Sequence, residues 1–154
     1  MNRRSYLTLG LAASVSGCLA FSNNEIFLGG LRVENGGEID RSIEIRILKN
    51  GNSVHETTVD ISGMGKTDDG QNVLGAVFVE CEWPSDDRGR FEVAARLAEN
   101  DSWTETASSD VQSDDQCQML FLRIEPTGSI WFSWDDCERY ETENPNTVCE
   151  YGTE

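Results

Sequence analysis

The stretch SIEIRILKNGNSVHETTVDI, residues 42–61, decides the fold. Ile43, Ile45 and Ile47 alternate with Glu44 and Arg46, a period of two that leaves one strand face apolar and the other wet. Asn50-Gly51 follows at once. Both central positions of a type I′ turn need positive φ, and this dipeptide supplies it at low cost. Residues 42–61 therefore predict a β-hairpin whose second arm runs from Val54 to Ile61.

The same pattern extends outward. Further strands are expected at Ile26–Val33, Val73–Trp83, Arg90–Leu97, Trp103–Ser108, Cys117–Glu125 and Ser129–Asp135. Pro126-Thr127-Gly128 presets a turn that folds Leu120, Leu122 and Ile124 onto Ile130, Phe132 and Trp134. No window of a dozen residues carries a helical stripe. Seven or eight short strands spaced by Gly, Asn, Asp and Pro predict an all-β fold over residues 26–136: an antiparallel β-sandwich, immunoglobulin-like in broad architecture. Residues 62–72 read as a glycine-rich loop and 137–154 as a polar tail held only by its cysteines.

Residues 1–17 read differently from the rest. Arg3 and Arg4 precede an apolar run from Tyr6 to Val15 that is too short to span a bilayer, and small residues lead to Cys18. Arg3-Arg4-Ser5-Tyr6-Leu7 resembles a twin-arginine export signal, and Val15-Ser16-Gly17-Cys18 resembles a lipobox. The resemblance is to haloarchaeal twin-arginine-exported lipoproteins. It implies cleavage before Cys18, lipidation of Cys18, a tether over residues 18–25, and membrane lipid as a partner through the acyl anchor.

The 154-residue chain carries 28 Asp and Glu against 12 Lys and Arg, a net charge of −16; loss of Arg3 and Arg4 with the signal makes it −18. Lys49 and Lys66 are the only lysines. A carboxylate-covered, lysine-poor surface resembles proteins of salt-loving archaea, in which molar salt screens the self-repulsion. Nucleic acid is a poor partner for such a surface. An envelope protein or glycan remains as the partner class.

Cys81, Cys117, Cys137 and Cys149 form an even set, which in an exported chain predicts disulfides rather than a thiolate metal site. Three connectivities are open. Cys81 with Cys117 and Cys137 with Cys149 is the expected pairing, because the second bond closes the tail.

Little else points to chemistry. SGMGKT, residues 62–67, lacks the earlier glycine and following helix of a phosphate loop. His55 is the only histidine, too few for a blue-copper site, and is expected on the wet face of its strand. Four aspartate pairs, at 68–69, 86–87, 114–115 and 135–136, match no calcium-loop spacing. Glu80 and Glu82 share one face of an expected strand, the only carboxylate pairing that suggests a hydrolase.

Trp131 falls on the face opposite Ile130, Phe132 and Trp134, where it marks a binding surface unless the tail or a second sheet covers it. Asn100-Asp101-Ser102 is an N-glycosylation sequon at an expected turn. No metal, cofactor or catalytic residue is implied. The expectation is a lipid-anchored surface protein with a β-sandwich binding or structural module; the alternatives are a calcium- or ligand-binding carrier module, or a carboxylate-based hydrolase.

Overall fold

The computed structural model describes residues 25–143 and 148–149; the expected signal, Cys18 and most of the tether lie outside them. The strands are β1 (Phe27–Asn35), β2 (Arg41–Lys49), β3 (Asn52–Ile61), β4 (Gly65–Lys66), β5 (Asn72–Val73), β6 (Gly75–Val79), β7 (Phe91–Leu97), β8 (Thr104–Ala107), β9 (Cys117–Ile124) and β10 (Ile130–Asp136). A short helix, α1 (Cys137–Glu143), ends the series. Two four-stranded sheets, in the orders β10-β9-β1-β6 and β3-β2-β7-β8, pack into a sandwich.

The alternation in the sequence becomes the core. Ile43, Ile45 and Ile47 of β2 and Val93, Ala95 and Leu97 of β7 face Leu31 and Val33 of β1 and Leu120, Leu122 and Ile124 of β9. Each large apolar side chain so buried contributes roughly 1.5–3 kcal/mol. Asn50 and Gly51 take φ of 51° and 83°, the positive values that the β2–β3 turn requires. Pro126 and Gly128 lie in the β9–β10 turn, with Gly128 at φ 89°.

Several expectations need correction. The β1–β9 ladder is parallel, so the sandwich is not wholly antiparallel. The chain repeatedly crosses between sheets, and its first strand ends up inserted between β6 and β9 with the same direction as β9. Residues 62–72 are not a plain loop, because β4 pairs with β5 around a turn in which the Thr67 amide donates to Gln71 O at 2.9 Å. Val73–Trp83 is not one strand: β6 ends at Val79, and Glu80 and Glu82 lie beyond it in irregular chain.

The cysteines pair differently too: Cys117 with Cys137, and Cys81 with Cys149. Register explains the first bond. Gln118 lies opposite Asp136 in the β9–β10 ladder, so the residues one step further along each arm are brought together. Nor is the tail held by cysteines alone. Tyr140 on α1 is 5% exposed and packs on Phe121 and Phe78, at ring separations of 5.4 and 5.9 Å.

Both disulfides gather at the end of the sandwich where the chain enters. Ile26 bridges Gly89 there, and β1 bulges between Leu28 and Gly30. Gly29 lies in the bulge, with its carbonyl accepting the Cys149 amide at 2.7 Å. A Cβ at position 29 would sit 2.6 Å from Cys117 Sγ and closer still to Cys137 Sγ. Gly29→Ala should therefore lower the free energy of unfolding by roughly 1–3 kcal/mol, as overpacking does, measured by denaturant melting of the oxidised protein. An unchanged midpoint would show that the disulfide moves aside freely.

Asp136 joins the same end. Hydrogen bonds from Ser113 and Gln118, the latter at 2.7 Å, and the nearby Arg139 cation hold its carboxyl below its ordinary value of 3.8. A lowered folded value means the carboxylate stabilises the fold above pH 3.8, and that contribution disappears as pH falls through the lowered value. Asp136→Asn should melt earlier than the native chain at neutral pH, with the gap closing in acid. A gap that is constant with pH would remove the ionised carboxylate from the account.

Candidate functional site

Trp131 is the second residue of β10 and lies far from the stapled end. It is 46% exposed. Among the described residues neither a sheet nor α1 covers it: α1 has seven residues and begins at the Cys117–Cys137 bond, and its Tyr140 packs over Phe121 and Phe78. The indole is nonetheless held. Its Nε1–H donates to the Glu125 carboxylate, and the Arg123 guanidinium, opposite it in the ladder, lies 6.0 Å from the ring centroid.

Two free strand edges meet beside it. β10 ends one sheet and β8 ends the other, and between them runs a cleft of about 500 Å³. Trp134 is half-buried against the core, as its alternation with Ile130 and Phe132 implies. Its Nε1–H donates across the cleft to Thr106 Oγ1 at 3.0 Å, and Thr106 in turn donates to Asp110 Oδ2 at 3.1 Å. The Ala107 amide donates to the same oxygen at 3.0 Å. Gln112 and Ser133 complete the polar wall, and no Lys or Arg is among the lining residues.

The outer face of the second sheet is tied up differently. Trp103, in the β7–β8 connection, takes two guanidiniums on its ring, Arg46 at 4.4 Å and Arg96 at 4.6 Å. Arg46 pairs with Glu56 at 3.1 Å and Arg96 with Glu44. Such contacts contribute roughly 0.5–1 kcal/mol each at an exposed site, enough to fasten the connection onto the sheet. Asn100 stands exposed in that connection. The composition gave no hint of this cluster, because Arg46, Arg96 and Trp103 are brought together only by sheet register and a loop.

His55 is not on the wet face. A bulge between Ile47 and Leu48 shifts the β2–β3 register by one, pairing His55 with Ile47 and turning it inward, and a one-residue shift exchanges faces. Its ring lies 6.2 Å from Trp83, and Nδ1 is 3.7 Å from Glu82. Trp83 is buried, with its Nε1–H donating to Leu28 O at 2.9 Å beside the bulge of β1. Glu80 and Glu82 are both exposed. Among the described residues, no group of three or more His, Cys, Asp or Glu is arranged to hold a metal ion.

What the arrangement offers is a fixed aromatic and hydrogen-bonding surface rather than an acid–base pair. Comparisons with protein-family models, curated proteins and solved structures return no match.

Thr106 is the hinge pin of the cleft. Thr106→Val keeps its shape but leaves Trp134 Nε1 without an acceptor, which should cost about 1–3 kcal/mol of stability by denaturant melting and shift the Trp134 indole proton signal. An unmoved signal would show that the hydrogen bond does not hold the ring.

Proposed function

We propose that this chain is an exported lipoprotein, held at the extracytoplasmic face of a membrane through Cys18, whose β-sandwich binds an envelope component at the Trp131 surface. The direction of β1 carries the reading. Ile26 lies at the end where both disulfides are, β1 leads away from it, and a tether from Cys18 would join the domain at that end. Nine strand residues span about 30 Å. Trp131 and the Asn100 sequon therefore sit at the end pointing away from an anchored bilayer, where a ligand or a glycan has room.

Two disulfides in one small domain favour an oxidising compartment. The acid excess disfavours close approach to anionic headgroups, so an acyl anchor rather than the protein surface does the holding. Glycosylation at Asn100 and a molar-salt setting belong to the same reading.

Intact mass of the detergent-extracted protein tests the anchor. The expected mass lacks residues 1–17, carries acyl additions, and gains four alkyl groups only after reduction; Cys18→Ser should release the protein from the membrane. An unacylated mass, or a Cys18→Ser protein that stays bound, would sink the lipoprotein reading.

A further inference from the structure

We infer that the free edge of β10 takes up an extended segment of another protein as an added strand, with basic side chains of that segment turned into the seam between β8 and β10. The inference rests on the reading of Trp131 as part of a binding surface and names the class of partner. Register shows which backbone groups are available. The Glu125 amide donates to Ser129 O at 2.8 Å, so the hydrogen-bonded pairs that alternate along this ladder are Arg123 with Trp131, Phe121 with Ser133 and Met119 with Asp135. The amides and carbonyls of Ile130, Phe132 and Trp134 therefore point away from β9, along the free edge. The Asp136 amide, next in that series, is closed by Asp135 Oδ1 at 2.9 Å, which ends the available edge.

The other edges are blunted or sealed. β3 carries a bulge and approaches β6 over Ile61 and Val79, which are 2% and 8% exposed, so the seam on that side is shut. β8 has four residues, and Asp110 occupies its Ala107 amide. β10 keeps seven residues in unbroken register, without the proline, lysine or bulge that protects an edge. Its inward side chains are short of cover: Ile130, Phe132 and Trp134 are only half-buried, beside a cleft of about 500 Å³. A strand added at the usual spacing of about 4.8 Å continues the β10-β9-β1-β6 sheet and closes that seam.

Charge selects the occupant. Across the seam from those three apolar residues stand Glu105, Asp110 and Gln112, and no Lys or Arg lines the cleft. Asp110 takes both of its hydrogen bonds on Oδ2, leaving Oδ1 as an acceptor. An Arg or Lys on the added strand lays its methylene stem along Phe132 and Trp134 and carries its charged head to these carboxylates. Alternate residues turn to the opposite face of the sheet, where β-branched side chains pair beside the exposed Trp131 and Ser133. A second copy of this chain is a poor occupant, because its net charge is −16 and most of its cations already pair with its own carboxylates.

The test uses the full mature protein in detergent and molar salt, titrated with an end-blocked decapeptide of alternating Arg and Val. Its counterparts are alternating Glu and Val, and the Arg peptide N-methylated either at every Arg or at every Val. The expected result is saturable binding of the Arg peptide, with hydrogen-exchange protection appearing at the Ile130, Phe132 and Trp134 amides and not in β3 or β8. Only one set of peptide amides faces β10, so one methylated peptide should bind as the parent does and the other about tenfold or more weaker. The Glu peptide and the Asp110→Asn protein should each bind several-fold more weakly. No saturable binding, equal binding of the Glu peptide or of both methylated peptides, or protection that spares β10 would overturn the inference.

Retention on isolated envelopes, compared for Trp131→Ala and the native residue in a Cys18→Ser background before and after proteolysis of the envelopes, separates the two readings. Retention that depends on Trp131, is lost on proteolysis and is displaced by the Arg peptide agrees with both. Retention that depends on Trp131 but survives proteolysis discards the protein segment and keeps the binding surface. Retention indifferent to Trp131 discards both. Protection of the β10 amides that rises with protein concentration, in the absence of peptide, would assign the edge to a second copy and overturn the inference.

Discussion

The contact on which the rest of the molecule depends is that between the backbone of Gly29 and the Cys117–Cys137 disulfide. Because position 29 has no side chain, the sulfur bridge lies directly on β1. That fixes the starts of β1 and β9 side by side, the arrangement a parallel ladder between distant segments requires. It also sets where α1 begins, and hence where Tyr140 meets the outer face. The Gly29 carbonyl then receives the Cys149 amide, which positions the second disulfide to Cys81. On the chain-entropy account, loops of 20 and 68 residues restrict the unfolded state by roughly 3 and 4 kcal/mol. For one core of this size those are large shares of the total stability.

The opposite end is held without covalent help. Asn35, fully buried at the end of β1, donates to Ile39 O at 2.8 Å and Ser62 O at 3.3 Å and accepts the Gly37 amide at 3.0 Å. Asp40 accepts the Gly63 amide at 2.8 Å, and the Met64 amide donates to Gly37 O at 2.7 Å. A buried amide whose bonds are all made is rigid, because losing any one of them leaves a polar group stranded. The far loops are thus ordered by satisfied polar groups, leaving Trp131 and the cleft free of the staples that crowd the other end.

Much of this was legible in the sequence and part of it was not, for identifiable reasons. The period-two runs and the two turns were readable because a strand face and a positive-φ pair are local properties. The Cys117–Cys137 bond was implicit as well: moving outward from the Pro126–Gly128 turn one residue per arm brings those cysteines opposite each other. Reasoning from tail closure alone overlooked it. The helix was hidden because seven residues with Tyr140 as their only large apolar contact make no stripe. His55 turned inward through a bulge that no composition announces. Trp131 stood out by alternation, whereas Thr106 and Asp110 did not. Their role depends on two sheets ending side by side, a fact of packing rather than of any one segment.

Charge constrains what such a surface can recognise. Arg32, Arg41, Arg46, Lys49, Arg96, Arg123 and Arg139 are each paired with a carboxylate, so the available cations are largely spent within the fold. In the molar salt proposed here the Debye length is about 3 Å, and selection of a ligand by charge at longer range is lost. Stacking on an indole and hydrogen bonding to a hydroxyl act at contact and are hardly screened. Molar salt also strengthens the burial of apolar surface when its ions are excluded from the protein. The exposed Trp131 indole and the hydroxyl and amide groups of Thr106, Ser133 and Gln112 offer interactions that survive under those conditions, and the acid around them, Glu105 and Asp110 included, keeps competing polyanions at a distance when the salt is diluted.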